Sequence, residues 1–157
     1  MGFLIEYLKV FGISMVPVLE LRGALILAAA DGLDPVISYI VCVFGNLLPV
    51  PFLILFVRPI FEWMRTHASW MKRIVEKLEA KAADKSDVIK KYEMLGLFIL
   101  VAVPLPGTGA WTGSLVAAVL GMRLKNSLPV IALGVMAAGL IMTLGAFGIV
   151  GVLANFV

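Results

Sequence analysis

Residues 16–27 read VPVLELRGALIL, an apolar run broken by one proline and carrying two opposite charges, Glu20 and Arg22. A charge at bilayer depth costs about 2.5–3.5 kcal/mol on insertion scales, so such residues are rare unless they are used. Whether this run lies at bilayer depth is decided by what surrounds it. Four apolar segments, residues 1–30, 35–57, 94–120 and 127–157, each reach the roughly 20 residues a helix needs to cross the hydrocarbon core. The chain is 62% hydrophobic over 157 residues, more apolar surface than one soluble domain of this length buries. An all-α integral membrane protein is the expected class.

Charge is distributed unevenly. Of the 23 Asp, Glu, Lys and Arg residues, 15 lie between Arg58 and Glu93, and eight serve the rest of the chain. In that insert Trp63, His67, Trp70, Met71, Ile74 and Leu78 recur at spacings of three and four, the pattern of an amphipathic helix or helical pair. Its nine basic and six acidic residues place it in the cytoplasm. Interleaved acids and the lack of any nucleic-acid motif argue against a nucleic-acid partner. The single Cys42 allows no intramolecular disulfide, and the first segment lacks the cationic start and cleavage site of a removable signal.

Two segments are internally broken. The first carries Pro17 and the Glu20–Arg22 cluster; the third carries Pro104, Pro106, Gly107, Gly109 and Gly113. Proline removes a helix donor and glycine loosens the backbone, so neither segment is expected to be one straight helix. If residues 35–57 run from outside to inside and Arg123 and Lys125 stay inside, the third segment must enter and return. The expected organisation is therefore two membrane units: residues 1–57, a broken re-entrant hairpin (1–30) plus a spanning helix (35–57), and residues 94–157, a hairpin (94–120) plus a spanning helix (127–157). The amphipathic insert 58–93 joins them. Four kinked spanning helices are the plainer alternative.

The two units also match each other at an offset of 89 residues: Pro17 with Pro106, Ala24 with Gly113, Ala28 and Ala29 with Ala117 and Ala118, Gly32 with Gly121, Gly45 with Gly134. Small residues match easily by chance in membrane helices, but this register and the sidedness together predict an inverted repeat, a recurring plan of carriers.

Candidate site residues follow from these breaks. Arg22 offers a planar fork for phosphate or carboxylate, and a desolvated Glu20 can carry a proton. The plain reading is that the two neutralise one another, or that Arg22 binds free carbonyls of the opposite broken helix. They lie two residues apart, so pairing needs an unwound backbone or another partner. Gly107, Thr108, Gly109, Trp111, Thr112 and Ser114 form the facing surface, with free N–H groups at a helix start and three hydroxyls; the plain reading is a tight turn with a Gly109–Gly113 packing contact. Asn46, beside Gly45, Pro49 and Pro51, lines the cavity or merely marks a kink. His67 is expected to be solvated. No metal-ligand, nucleotide or dinucleotide motif occurs, so no metal, no cofactor and no enzyme activity are expected.

ELRGA (20–24), GN-x-x-P-x-P (45–51) and PLPGTGAWTGS (104–114) resemble the small multidrug export family of bacterial and archaeal membrane proteins, over essentially the whole chain. The paired broken hairpins resemble, by architecture only, the DedA or VTT superfamily. The first resemblance implies an inner-membrane transporter; the second implies an anionic amphipathic substrate such as a polyprenyl phosphate, with Arg22 on the phosphate, Glu20 carrying a proton and the 104–113 turn on the headgroup. Efflux of hydrophobic cations is the first alternative, a non-transporting scaffold or accessory subunit the second. Small residues on the last segment, Gly134, Ala138, Gly145 and Gly148, lead us to expect a homodimer in contact with membrane lipids.

Overall fold

The structure is a computed structural model describing residues 2–67, 86–105 and 108–154. The greater part of the amphipathic insert, with Trp70, Met71, Ile74 and Leu78, lies outside the described residues, as do Pro106 and Gly107; nor are the side chains of Trp63 and His67 described. Among the described residues every regular element is helical: α1 (Gly2–Met15), α2 (Glu20–Ala30), α3 (Pro35–Leu47), α4 (Pro49–His67), α5 (Ser86–Ala102), α6 (Ala110–Val119) and α7 (Leu124–Ala154). Two stretches, Pro35–Val57 and Leu124–Val152, are long and apolar enough to cross a membrane. Helices α1, α2 and α6, with 14, 11 and 10 residues, are too short for that at 1.5 Å per residue.

Each broken segment folds into a helical hairpin. In the first, α1 doubles back on α2, and Lys9 reaches the carboxylate of Asp31 at 3.0 Å while the Asp34 N–H donates to the Tyr7 hydroxyl at 3.2 Å. In the second, α6 lies on α5, where a Cβ added at Gly113 would stand 2.5 Å from Val101 Cγ2. Both hairpins end in the same way. Gly32, at φ +67°, and Leu33 return their N–H groups to Ala29 and Ala28 at 3.2 and 2.9 Å; Gly121, at φ +69°, and Met122 return theirs to Ala118 and Ala117 at 3.2 and 2.9 Å. This is the double closure that glycine allows at a helix end, and its four members recur at one offset (121 − 32 = 89).

Asp34 then caps α3 by accepting from Val36 and Ile37, both at 2.9 Å, with Pro35 at the first helical position. The Pro35–Val57 stretch breaks at Leu48, because Pro49 and Pro51 cannot donate to the carbonyls of the preceding turn. Packing crosses between the halves: α2 lies against α7, and α6 against α4. The core is built of Leu21, Leu25, Ile54, Val101, Ile131 and Val135, all almost wholly buried. Outside it, Ile40, Phe44, Leu140 and Leu144 are exposed over about half or more of their surface, the pattern of a protein whose outer solvent is lipid.

Candidate functional site

The tips of the two hairpins meet. At the first, the chain runs through a turn whose last residue, Leu19, is already in helical conformation, and then Glu20 takes φ +49°, a left-handed value that costs a non-glycine residue about 1–2 kcal/mol. Strain of this kind persists only where surrounding contacts hold it. Here they do: Glu20 Oε1 accepts the Trp111 backbone N–H at 3.2 Å, the carboxylate lies against the first turn of α6, and the residue is 4% exposed. Gly109 makes room for it, at φ +131°, since a Cβ there would fall 1.9 Å from Glu20 Oε2.

Arg22, two residues along, takes a different partner. Its Nη1 donates to the carbonyls of Leu105 at 2.7 Å and Thr108 at 2.6 Å, its Nη2 to the Val103 carbonyl at 3.1 Å and the Thr108 hydroxyl at 2.9 Å. The Thr108 hydroxyl in turn donates within the same bend, to Val103 or Leu105. These carbonyls lie outside any helical ladder because Pro104 and the end of α5 leave no following helix to bond them; those of Val103 and Leu105 accept turn bonds from the Leu105 and Thr108 N–H groups at 2.9 and 3.2 Å and keep their second lone pairs for Arg22. Glu20 and Arg22 are thus not held to one another by a direct ion pair; the unwound residue sends each to its own partner. The second tip answers the first: Trp111 Nε1 donates to the Met15 carbonyl, the last of α1, at 3.1 Å.

A small, partly open cavity lies between the tips, lined on its polar side by Glu20, Arg22 and Asn46 and elsewhere by Val101, Val135 and Ala138. The room for the centre of a water-sized occupant is about 10 Å³. Asn46 is 3% exposed, and its Oδ1 has no hydrogen-bond donor; Arg22 Nε, also buried, has no acceptor.

Of the residues expected at the site, Glu20, Arg22, Thr108, Gly109, Trp111 and Asn46 converge. Ser114 does not: wholly buried, it donates to the Ala110 carbonyl of its own helix at 2.6 Å. Thr112 makes an interaction of its own, and Gly107 lies outside the described residues. Gly109 and Gly113 pack on different neighbours, Glu20 and Val101, and do not form one packing face. The carbonyls of Val103, Leu105 and Met15 were not foreseen individually. Their signal is the combination of a helix end with prolines just after it. Among the described residues no group of His, Cys, Asp and Glu is arranged to hold a metal ion.

The family model described as "Putative small multi-drug export protein" matches residues 20–141, from the strained glutamate to the middle of α7. The chain belongs to this family. Members of the small multidrug export family are described as exporters, which is not an enzyme class, and with the two apolar helices that membership makes this a membrane protein. Comparison with curated proteins and with solved structures returns no match.

Proposed function

We propose that this protein is a carrier of anionic amphipathic molecules, lipid phosphates such as polyprenyl phosphate foremost, across the inner membrane of a bacterium or archaeon. The observation that carries the reading is the Arg22 guanidinium: half-buried, and held among the described residues by neutral oxygens of a bend that belongs to another part of the chain. A phosphate offers the same fork charged, bidentate acceptors, which bind it more strongly than carbonyls do. Access from the bilayer is open, since Val18 is 89% exposed beside the first tip and Leu105 is 56% exposed beside the second. When the anion takes Arg22, a second negative charge arrives near the Glu20 carboxylate, and proton uptake by Glu20 removes the repulsion. Substrate and proton are thereby coupled.

Two inverted units, each a re-entrant hairpin plus a spanning helix, are the architecture we propose, with α3–α4 and α7 as the spans and two copies of the chain forming the working carrier. The short hairpin helices, the identical hairpin ends at an offset of 89 and the crossed packing of α2 on α7 and α6 on α4 support it. Export of hydrophobic cations is the second reading, favoured by the family's description and by the buried Glu20 carboxylate.

Reconstitution in vesicles separates the readings. Translocation of a polyprenyl phosphate that is lost in Glu20→Gln, without uptake or efflux of a lipophilic cationic dye, is the expected result. Dye efflux without lipid-phosphate movement replaces the first reading with the second, and neither activity leaves a scaffold.

A further inference from the structure

We propose that the cavity between Glu20, Arg22 and Asn46 binds one water molecule, and that the Glu20 carboxyl exchanges its proton through it. The inference rests on the reading of Glu20 as a proton carrier and supplies the route that reading lacks.

The size of the cavity admits little else. Its roughly 10 Å³ of room for a water centre matches the ~10–15 Å³ that one water needs. The chemistry of its wall narrows the choice further. Asn46 Oδ1 needs a donor and Arg22 Nε needs an acceptor, and both atoms are buried away from bulk solvent. A buried polar atom without a partner costs about 1–3 kcal/mol, so two such atoms, on two residues that line one small cavity, point to an occupant that serves both. A sodium ion would satisfy Asn46 and Glu20 but would stand against the guanidinium. A chloride ion would satisfy Arg22 but would face two oxygens. Water does neither harm: it accepts from Arg22 Nε and donates to Asn46 Oδ1 and to the Glu20 carboxyl, the roughly three hydrogen bonds typical of a buried water.

Among the described residues Arg22 is the single charged neighbour of Glu20 on the cavity wall; those of α3, α5, α6 and α7 that line it are uncharged. The remaining contacts of the carboxyl are with the backbone at the start of α6, whose N–H groups do not release protons. Exchange therefore runs through the cavity. The carboxyl proton passes to the water oxygen as one of the water's own protons leaves through the open side of the cavity, which leaves a carboxylate and one water; a proton entering the water from that side then sends one of the water's protons back to the carboxylate, so that a full exchange restores one carboxyl and one water.

The test is infrared spectroscopy on the full chain in detergent, transferred from H2O to D2O. The carboxyl C=O band that disappears in Glu20→Gln is assigned to Glu20, and its deuterium shift is timed. Fast exchange is expected in the wild type and in Asn46→Ser, which puts a hydroxyl in place of the amide and enlarges the room. In Asn46→Leu, which fills the space and removes the acceptor, exchange slows by about tenfold or more, the scale of one or two lost hydrogen bonds. Equal rates in wild type and Asn46→Leu overturn the proposal, as does the absence of any protonated Glu20 band at every pH at which the protein stays folded. Two measurements on the wild type alone guard against a leucine variant that does not fold. A rise in melting temperature with sodium chloride but not choline chloride assigns the cavity to a cation and overturns the water. A density map that shows ordered waters elsewhere but none between these three side chains does the same. None of these readouts involves transport, so failure of the water site leaves the carrier reading to its own assay.

Discussion

Arg22 and Trp111 stand 89 residues apart (111 − 22 = 89), and each gives side-chain N–H groups to backbone carbonyls at or just past the end of the other hairpin's first helix. The two clasps are unequal. Arg22 makes four hydrogen bonds into the bend at residues 103–108, whereas Trp111 makes one to Met15. Lysine at position 22 keeps the charge but replaces a fork by a point donor. Arg22→Lys is expected to cost on the order of 2–4 kcal/mol and Trp111→Phe about 1 kcal/mol, given net values near 1 kcal/mol per neutral bond and up to about 3 for charged donors. Unfolding in a denaturing detergent, followed by circular dichroism, ranks them; equal losses would show that the guanidinium bonds contribute no more than a single indole.

Gly109 and Gly121 both have positive φ, yet their surroundings differ. At Gly121 an added Cβ meets nothing within 4 Å, so Gly121→Ala should cost only the left-handed penalty of about 1–2 kcal/mol. At Gly109 the same methyl would displace the Glu20 carboxylate, adding a forced shift at the site to the backbone strain. Gly109→Ala is expected to lower the melting temperature well below Gly121→Ala, and Gly109→Ala with Glu20→Ala to recover part of the difference. An absence of recovery would place the clash elsewhere than at the carboxylate.

How much of this was legible beforehand depends on what kind of group acts. The broken segments, the offset of 89 and the convergence of Glu20, Arg22, Thr108, Trp111 and Asn46 can be read from residue types, because prolines, glycines and charges in an apolar run are unusual and local. The left-handed Glu20 cannot, since nothing in a glutamate announces that conformation. Nor can the carbonyl acceptors be chosen individually, because every residue carries one and only the three-dimensional bend decides which of them face Arg22. The four-residue spacing of Gly109 and Gly113 misled for a definite reason: Gly109 lies outside α6, at its cap, so the helical period that would align the two does not apply.

Gly45 and Gly134, another pair at the offset of 89, each allow a close helix crossing within their own half. A Cβ at Gly45 would fall 2.0 Å from Ser14 Oγ and 2.8 Å from the Phe11 carbonyl; at Gly134 it would fall 2.7 Å from Val101 Cβ and 3.2 Å from the Phe98 carbonyl. Overpacking of this kind costs about 1–3 kcal/mol. Gly45→Ala should be destabilising and only partly relieved by Ser14→Ala, which removes the nearer atom and leaves the carbonyl. At Gly145 there is open space around the added methyl, so Gly145→Ala is expected to be close to neutral within one chain. A loss there would report a second copy packed on α7.

Sidedness is the most consequential prediction. Asp34 begins α3 and Lys125 lies in the first turn of α7, at the starts of the two candidate spans. If both broken segments return to the side they entered, Asp34 and Lys125 lie on opposite faces of the membrane; if each segment crosses, they share one face. Cys42 is wholly buried, so Cys42→Ala gives a background free of the native thiol. On that background Asp34→Cys should react with a membrane-impermeant maleimide added outside intact cells, whereas Lys125→Cys should react only after the membrane is opened. The helix lengths give this outcome its physical reason: 11 residues of α2 rise about 16 Å and 10 residues of α6 about 15 Å, half the roughly 30 Å hydrocarbon core. In the proposed arrangement each tip stops near the midplane, where the Arg22 clasp and the Glu20 contact hold it to the other. Labelling of both cysteines from one side would require each hairpin to open into a continuous span, separating Glu20 from Trp111 and Arg22 from Thr108, and the proposed inverted carrier would have no site.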